Sequence, residues 1–167
     1  PGQEASVEIV ERRWYSVQSQ DAQGRIVWET SVEEIPVAAF EQVVMDENGK
    51  AAVNFTPPNG GVYRLKVTAL DADGNEGRAS TYMWVAGEEY VPWRQGNDHG
   101  FELITDKTAY MAGDTAEVLI ASPFQGQAYA LVTVERGHVR SHEVILLTSN
   151  SMIYELPITP DMAPNVY

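Results

Sequence analysis

The sequence predicts an all-β protein made of two antiparallel β-sandwiches in tandem, and three observations carry that prediction. Apolar residues alternate with polar ones at a period of two: Tyr63, Leu65, Val67 and Ala69 are interleaved with Arg64, Lys66 and Thr68, which turns one row inward and the other toward water. Turn sequences fall between such runs. Asp21-Ala22-Gln23-Gly24, Asp46-Glu47-Asn48-Gly49 and Asp71-Ala72-Asp73-Gly74 each place an acidic residue ahead of a glycine free to take positive φ. Helix signals are nearly absent, because β-branched and aromatic residues fill the apolar positions and no long window carries the i, i+3, i+4, i+7 spacing.

Taken in order, strands are expected near 5 to 17, 25 to 32, 36 to 44, 50 to 55, 61 to 70 and 77 to 86, giving a first sandwich over residues 1–88. Short strands at this spacing are the mark of immunoglobulin-like and fibronectin-III-like sandwiches. Tyr63 follows Gly60-Gly61-Val62 at a strand entry. Its hydroxyl either returns to nearby backbone, as in a tyrosine corner, or belongs to an ordinary buried strand tyrosine.

Between Gly87 and Gly100 the alternation fails and glycine, proline and charge mix, as at a domain boundary. Residues 89–100 therefore read as a junction. Tyr90, Val91, Pro92 and Trp93 are too apolar for a free tether and are expected to pack across it. A second sandwich follows over 101–167, with strands near 101 to 105, 115 to 121, 127 to 136, 138 to 147, 151 to 158 and a last one opening at 165. A sandwich of this kind has about seven strands, so the second is expected to be truncated at its C-terminus, with an open last edge. The opening at Pro1-Gly2 and the stop at Val166-Tyr167 read as the ends of an excised piece.

The 167 residues are 44% hydrophobic and 21% charged, a composition that builds a core and does not describe a disordered acidic tail. The net charge of −13 is evenly spread: 13 acidic and 7 basic residues up to Gly87, 11 and 4 after it. Neither half has the basic stripe that releases counterions from phosphates, so nucleic-acid binding and adhesion to anionic lipid are disfavoured. No run approaches the roughly 18 apolar residues of a membrane span, and no direct membrane contact by the chain is expected. Cysteine is absent, which excludes disulfides, thiolate metal sites and cysteine nucleophiles.

Candidate chemistry is sparse. His138 and His142 have HxxxH spacing, but at the start of a strand they would stand ~13 Å apart rather than share a metal. His99 has no carboxylate pair at ligand spacing. Asp71, Asp73 and Asn75 resemble the start of a calcium loop, yet the positions for its glycine and bidentate glutamate hold Glu76 and Tyr82. A hairpin turn is the expected role. Glu33-Glu34 reads as a surface pair, and no nucleophile elbow or phosphate-binding glycine loop occurs. No catalytic, metal or cofactor-binding residue is assigned, and an enzyme is not expected. Asn54-Phe55-Thr56 fits a glycosylation sequon with Pro57 directly after it. Trp14, Trp28, Trp84 and Trp93 are expected in core or junction positions; exposed and co-planar, they would instead form a sugar platform.

The second half carries a run of short matches in a fixed order: Tyr82-Met83-Trp84-Val85, Tyr90-Val91-Pro92-Trp93, Asp106-Lys107 leading through Tyr110 to Gly113-Asp114, Ser122-Pro123-Phe124, and Val132-Thr133-Val134-Glu135-Arg136-Gly137, followed by Pro157-Ile158 and Pro164-Asn165-Val166-Tyr167. In that order the chain resembles the middle of bacterial alpha-2-macroglobulins. The resemblance implies two consecutive macroglobulin-like domains, the second next to or carrying the bait region, in a broad-spectrum protease-trapping inhibitor of the periplasm or cell exterior with a lipid anchor to the inner membrane. It implies neighbouring domains of the parent chain as partners, target proteases reached only through the full-length protein, and no cofactor. The family's cysteine-glutamine thioester cannot lie in this chain. A cell-surface adhesion or carbohydrate-binding sandwich is the alternative.

Overall fold

A computed structural model describes residues 3–71, 73–97, 100 and 102–167. Along the described residues run β1 (Glu4–Gln20), β2 (Ile26–Val44), β3 (Gly61–Leu70), β4 (Glu76–Val85), β5 (Leu103–Thr105), β6 (Thr115–Ala121), β7 (Ala128–Glu135), β8 (Val139–Leu147), β9 (Ser151–Pro157) and a 3-10 turn at Pro160–Met162. Every strand pairing is antiparallel. The fold is all-β, as the period-two pattern requires. The chain divides into two compact units, Pro1–Val85 and Ala86–Tyr167.

The first unit is a four-stranded sheet in the order β2-β1-β3-β4. Val7 and Ile9 of β1 and Tyr63 of β3 form the centre of its apolar face, joined by Ala38 and Phe40 of β2 and by Leu65, Val67, Met83 and Val85. Val53 and Phe55 pack against that face from the segment between β2 and β3, with the Phe55 ring edge-on to Tyr63 at 5.7 Å. The expected strand at 50 to 55 is thus a covering segment with no ladder partner. Pro57 and Pro58 follow after Thr56 and lack the backbone donors with which a ladder could continue beyond it.

Two strands expected at 25 to 32 and 36 to 44 are one continuous β2. Glu33 and Glu34 do not interrupt it because they stand opposite Arg13 and Arg12 of β1. Pro36 is accommodated at a bulge: Ile9 pairs with Ala38 and Val10 with Pro36, leaving Val37 as the extra residue of an edge strand. A second irregularity lies between Ala5 and Val7, where Gln42 takes a left-handed φ of 58°.

The second unit stacks a three-stranded sheet, β5-β6-β9, on the two-stranded β7-β8. Ile120 of β6 and Ile145 and Leu147 of β8 are buried between them, with Ala130, Val132, Met152 and Tyr154 packed around. The core therefore draws on both sheets, which is what makes the unit a sandwich. The last strand, expected to open at 165, is present as a single reciprocal pair: the Tyr167 N–H donates to the Glu135 carbonyl at 2.9 Å and the Glu135 N–H to the Tyr167 carbonyl at 2.7 Å.

Candidate functional site

The residues with chemical potential are placed apart. His138 lies in the turn after β7, and His142 on β8 stands opposite Thr133. His99 lies outside the described residues. Among the described residues no group of three His, Cys, Asp or Glu side chains is arranged to hold a metal ion. Asp71 spends its carboxylate on its own turn, accepting from the Asp73 N–H (2.9 Å), the Asn75 N–H (2.8 Å) and the Asn75 side-chain amide (2.8 Å). Asp21 and Asp46 close their turns on the backbone N–H groups two and four residues on in the same way. Gly24, Gly49 and Gly74 take φ values of 72° to 82° at the fourth position of these turns, where a side chain would be strained.

The polar face of the first unit gathers cations around one carboxylate. Glu34 receives Lys66 at 2.9 Å, Arg64 at 3.4 Å and Arg12 at 3.6 Å. Lys66 holds the Glu34 carboxyl below its usual range, and Arg64 adds to that effect. The Arg12 guanidinium lies 4.7 Å from the Trp14 ring and 5.2 Å from the Tyr82 ring. Trp14, Trp28 and Trp84 are half-buried, and Tyr82 and Trp84 are tilted by 55° to each other. On this face the Trp14 and Tyr82 rings are packed against guanidinium groups.

In the second unit the ordered matches of the sequence turn out to be hydrogen-bond closures. Asp106 accepts from the Tyr110 hydroxyl (2.7 Å) and the Glu117 N–H (3.0 Å), and Tyr110 in turn accepts from the Lys107 N–H. The Gly113 N–H donates to Ile158, Ile158 donates back to the Asp114 carbonyl, and the Asp114 carboxylate accepts from Met111. Ser122, buried, accepts from the Phe124 N–H.

Asn150 is the residue that sequence reasoning missed. Only 3% exposed, it takes the Val91 N–H on its side-chain oxygen (3.0 Å) and gives its amide to the Val91 carbonyl (2.6 Å), while its own carbonyl accepts from the Trp93 indole (2.6 Å) and the Ser122 N–H (3.0 Å). Val91 and Trp93, read as junction residues, are buried at 3% and 5% exposure by the second unit's own turn. Tyr90 beside them is exposed. A Ser-Asn-Ser turn was the only local hint.

The C-terminal segment is pinned to the β7–β8 hairpin. Arg136 donates to the carbonyls of Asp161 and Ala163, and Arg140 to the Asp161 carbonyl at 2.6 Å and its carboxylate at 3.0 Å. This clamp delivers Tyr167 to the edge of β7.

Three curated relatives are named alpha-2-macroglobulin or alpha-2-macroglobulin homolog. The chain is 29% identical over 164 residues to an "Alpha-2-macroglobulin homolog" of Nostoc, covering 98% of this chain. It is 41% identical over 104 residues to the alpha-2-macroglobulin of Ralstonia nicotianae, 60% of this chain, and 30% identical over 146 residues to that of Escherichia coli, 81% of this chain. Residues 101–167 match the family model described as the alpha-2-macroglobulin bait region domain. The chain belongs to the alpha-2-macroglobulin family. It spans 8%, 6% and 8% of the length of these three alpha-2-macroglobulins. No solved structure matches it significantly. The bait-region-domain match covers β5 to β9 and starts downstream of Val91 and Trp93, so the second unit is larger than the matched stretch.

Proposed function

We propose that the chain is a rigid, non-catalytic segment of a protease-trapping alpha-2-macroglobulin, its second unit standing next to or carrying the bait that a protease cuts. The single observation that carries this reading is the bait-region-domain match over 101–167. The local chemistry supports it: the polar groups of this unit are spent on its own backbone, as in Asp106, Asp114, Ser122 and Asn150, which suits a body that moves as a whole. The partners of such a segment are the neighbouring domains of its own polypeptide, and target proteases reach it through the full-length protein. Its place is the periplasm or the cell exterior, with the parent anchored to the inner membrane by lipid; among the described residues no helix is long and apolar enough to cross a membrane.

The test uses the full-length protein and proteases of different specificity. A trapped protease loses activity on a large protein substrate and keeps it on a small chromogenic peptide, and residues 1–167 alone change neither. Undiminished cleavage of the protein substrate at excess full-length protein would remove the reading.

A further inference from the structure

The β7–β8 hairpin is apolar on both faces. Ala130, Val132, Ile145 and Leu147 point into the core, and the alternate residues Tyr129 (80% exposed), Leu131 (64%), Val144 (63%) and Leu146 (38%) point out. Tyr129 stands opposite Leu146 and Leu131 opposite Val144, so the four form one patch. Strands that read as continuous apolar runs are those covered on both faces, and contiguous exposed apolar patches mark contacts.

The edge of β7 away from β8 carries the second observation. A residue that exchanges both backbone bonds with a partner defines an antiparallel hydrogen-bonded pair, and Glu135 does so with Tyr167. β7 itself is regular there: the register shift beside Glu135 puts the extra residue, Arg140, in β8. The N–H and C=O groups of Thr133, Leu131 and Tyr129 therefore face the same edge as those of Glu135, and among the described residues they have no backbone partner.

We propose that the polypeptide following Tyr167 in the full-length protein continues as a strand along β7, antiparallel to it and in the register that Glu135 and Tyr167 begin. The occupant is the same chain rather than a second copy, because the pairing is already nucleated by Tyr167, the Arg136 and Arg140 clamp aims the segment at this edge, and a net charge of −13 opposes self-association. Stepping back from Glu135 to Leu131 is four residues, so the fourth residue beyond Tyr167 lies opposite Leu131 and the sixth opposite Tyr129. Both are expected to be apolar or β-branched, extending the patch. This rests on the chain's being a segment of a longer alpha-2-macroglobulin and is independent of whether that protein traps proteases.

Two measurements test it. Hydrogen exchange followed by mass spectrometry on peptides covering 128–135 is expected to slow by about tenfold or more in the full-length protein relative to residues 1–167; equal exchange overturns the proposal. In the full-length protein, Leu131→Cys paired with a cysteine at the fourth position beyond Tyr167 is expected to form a disulfide, since hydrogen-bonded partners stand ~5.5 Å apart at Cα, whereas a cysteine at the third or fifth position does not. Bridging to another segment or another copy, or equal bridging at all three positions, overturns it. Should Leu131→Cys impair folding, Thr133→Cys with the second position beyond Tyr167 makes the same test. Loss of trapping with this bridge intact would count against the proposed function alone.

Discussion

At the scale of single residues, the polar side chains that most resemble site chemistry are turn and junction closers. Asp71 could be read from sequence as a turn residue because its partners lie two and four positions away. Asn150 could not, because Val91 and Trp93 stand 59 and 57 residues upstream, a distance that no local pattern reports. Replacing Asn150 with alanine leaves the Val91 N–H and C=O unpaired in a buried place and should cost roughly 3 kcal/mol, by urea unfolding, at ~1 to 3 kcal/mol per orphaned group. Tyr63→Phe is milder. The Tyr63 hydroxyl donates to the Asn59 carbonyl at 2.8 Å and accepts from its N–H, the tyrosine-corner arrangement, and its loss should cost ~1 kcal/mol.

Acid sensitivity belongs to the same scale. The Arg25 N–H holds the Asp21 carboxyl below its ordinary range, the Asn75 side-chain amide does so for Asp71, and the Tyr110 hydroxyl for Asp106. With folded values below the unfolded value of about 3.9, the unfolded chain takes up protons first as pH falls. The stabilisation is therefore complete above that value and is lost as pH drops through the folded values. The urea midpoint should stay level from pH 7 to about 5 and fall below about 4, with a shallower fall in Asp71→Asn. A midpoint still level at pH 3 would show that these bonds carry no folding energy.

At the scale of elements, legibility followed the period-two signal. β3 lies over the expected 61 to 70, because apolar and polar residues alternate there from Tyr63 to Ala69. The signal failed where neighbours outside the strand decide. Glu33 and Glu34 looked like a break but are held by neighbouring strands, Glu33 by the Tyr15 hydroxyl and Glu34 by Arg12, Arg64 and Lys66, and Val53 and Phe55 looked like a strand but have no ladder partner beside Pro57-Pro58. The facing assigned to β3 is open to a direct test. Leu65 packs on the apolar face and Lys66 bridges Glu34 and Glu8 on the other. Leu65→Ala should cost ~2 kcal/mol or more, and Lys66→Ala no more than ~1 kcal/mol because its ion pairs are a third exposed. Equal losses in chemical denaturation would reverse the facing.

At the scale of the whole molecule, the two compact units divide between Val85 and Ala86, just ahead of the Gly87 to Gly100 stretch where alternation stops, and the sequence pattern did not tell to which body that stretch belongs. Apolar residues between two sandwiches can serve either, and the choice was made by Asn150, far along the chain. The consequence concerns which piece can fold. Trp93 is the only tryptophan after Ala86, so its fluorescence reports the second unit cleanly in an 86–167 fragment. That fragment should fold cooperatively, with a blue-shifted indole that moves to the red together with the loss of far-ultraviolet β signal. A 101–167 fragment, cut where the bait-region-domain match begins, forfeits Val91 and Trp93, each worth ~1.5 to 3 kcal/mol of apolar burial, and leaves Asn150 with no partner for its amide. Against a total of ~5 to 15 kcal/mol for a domain, that loss should leave it largely unfolded by circular dichroism, and a peptide of residues 86–100 added in trans should restore part of the signal. A 101–167 fragment as stable as 86–167 would mean that the Val91–Trp93 segment decorates the sandwich and does not complete it.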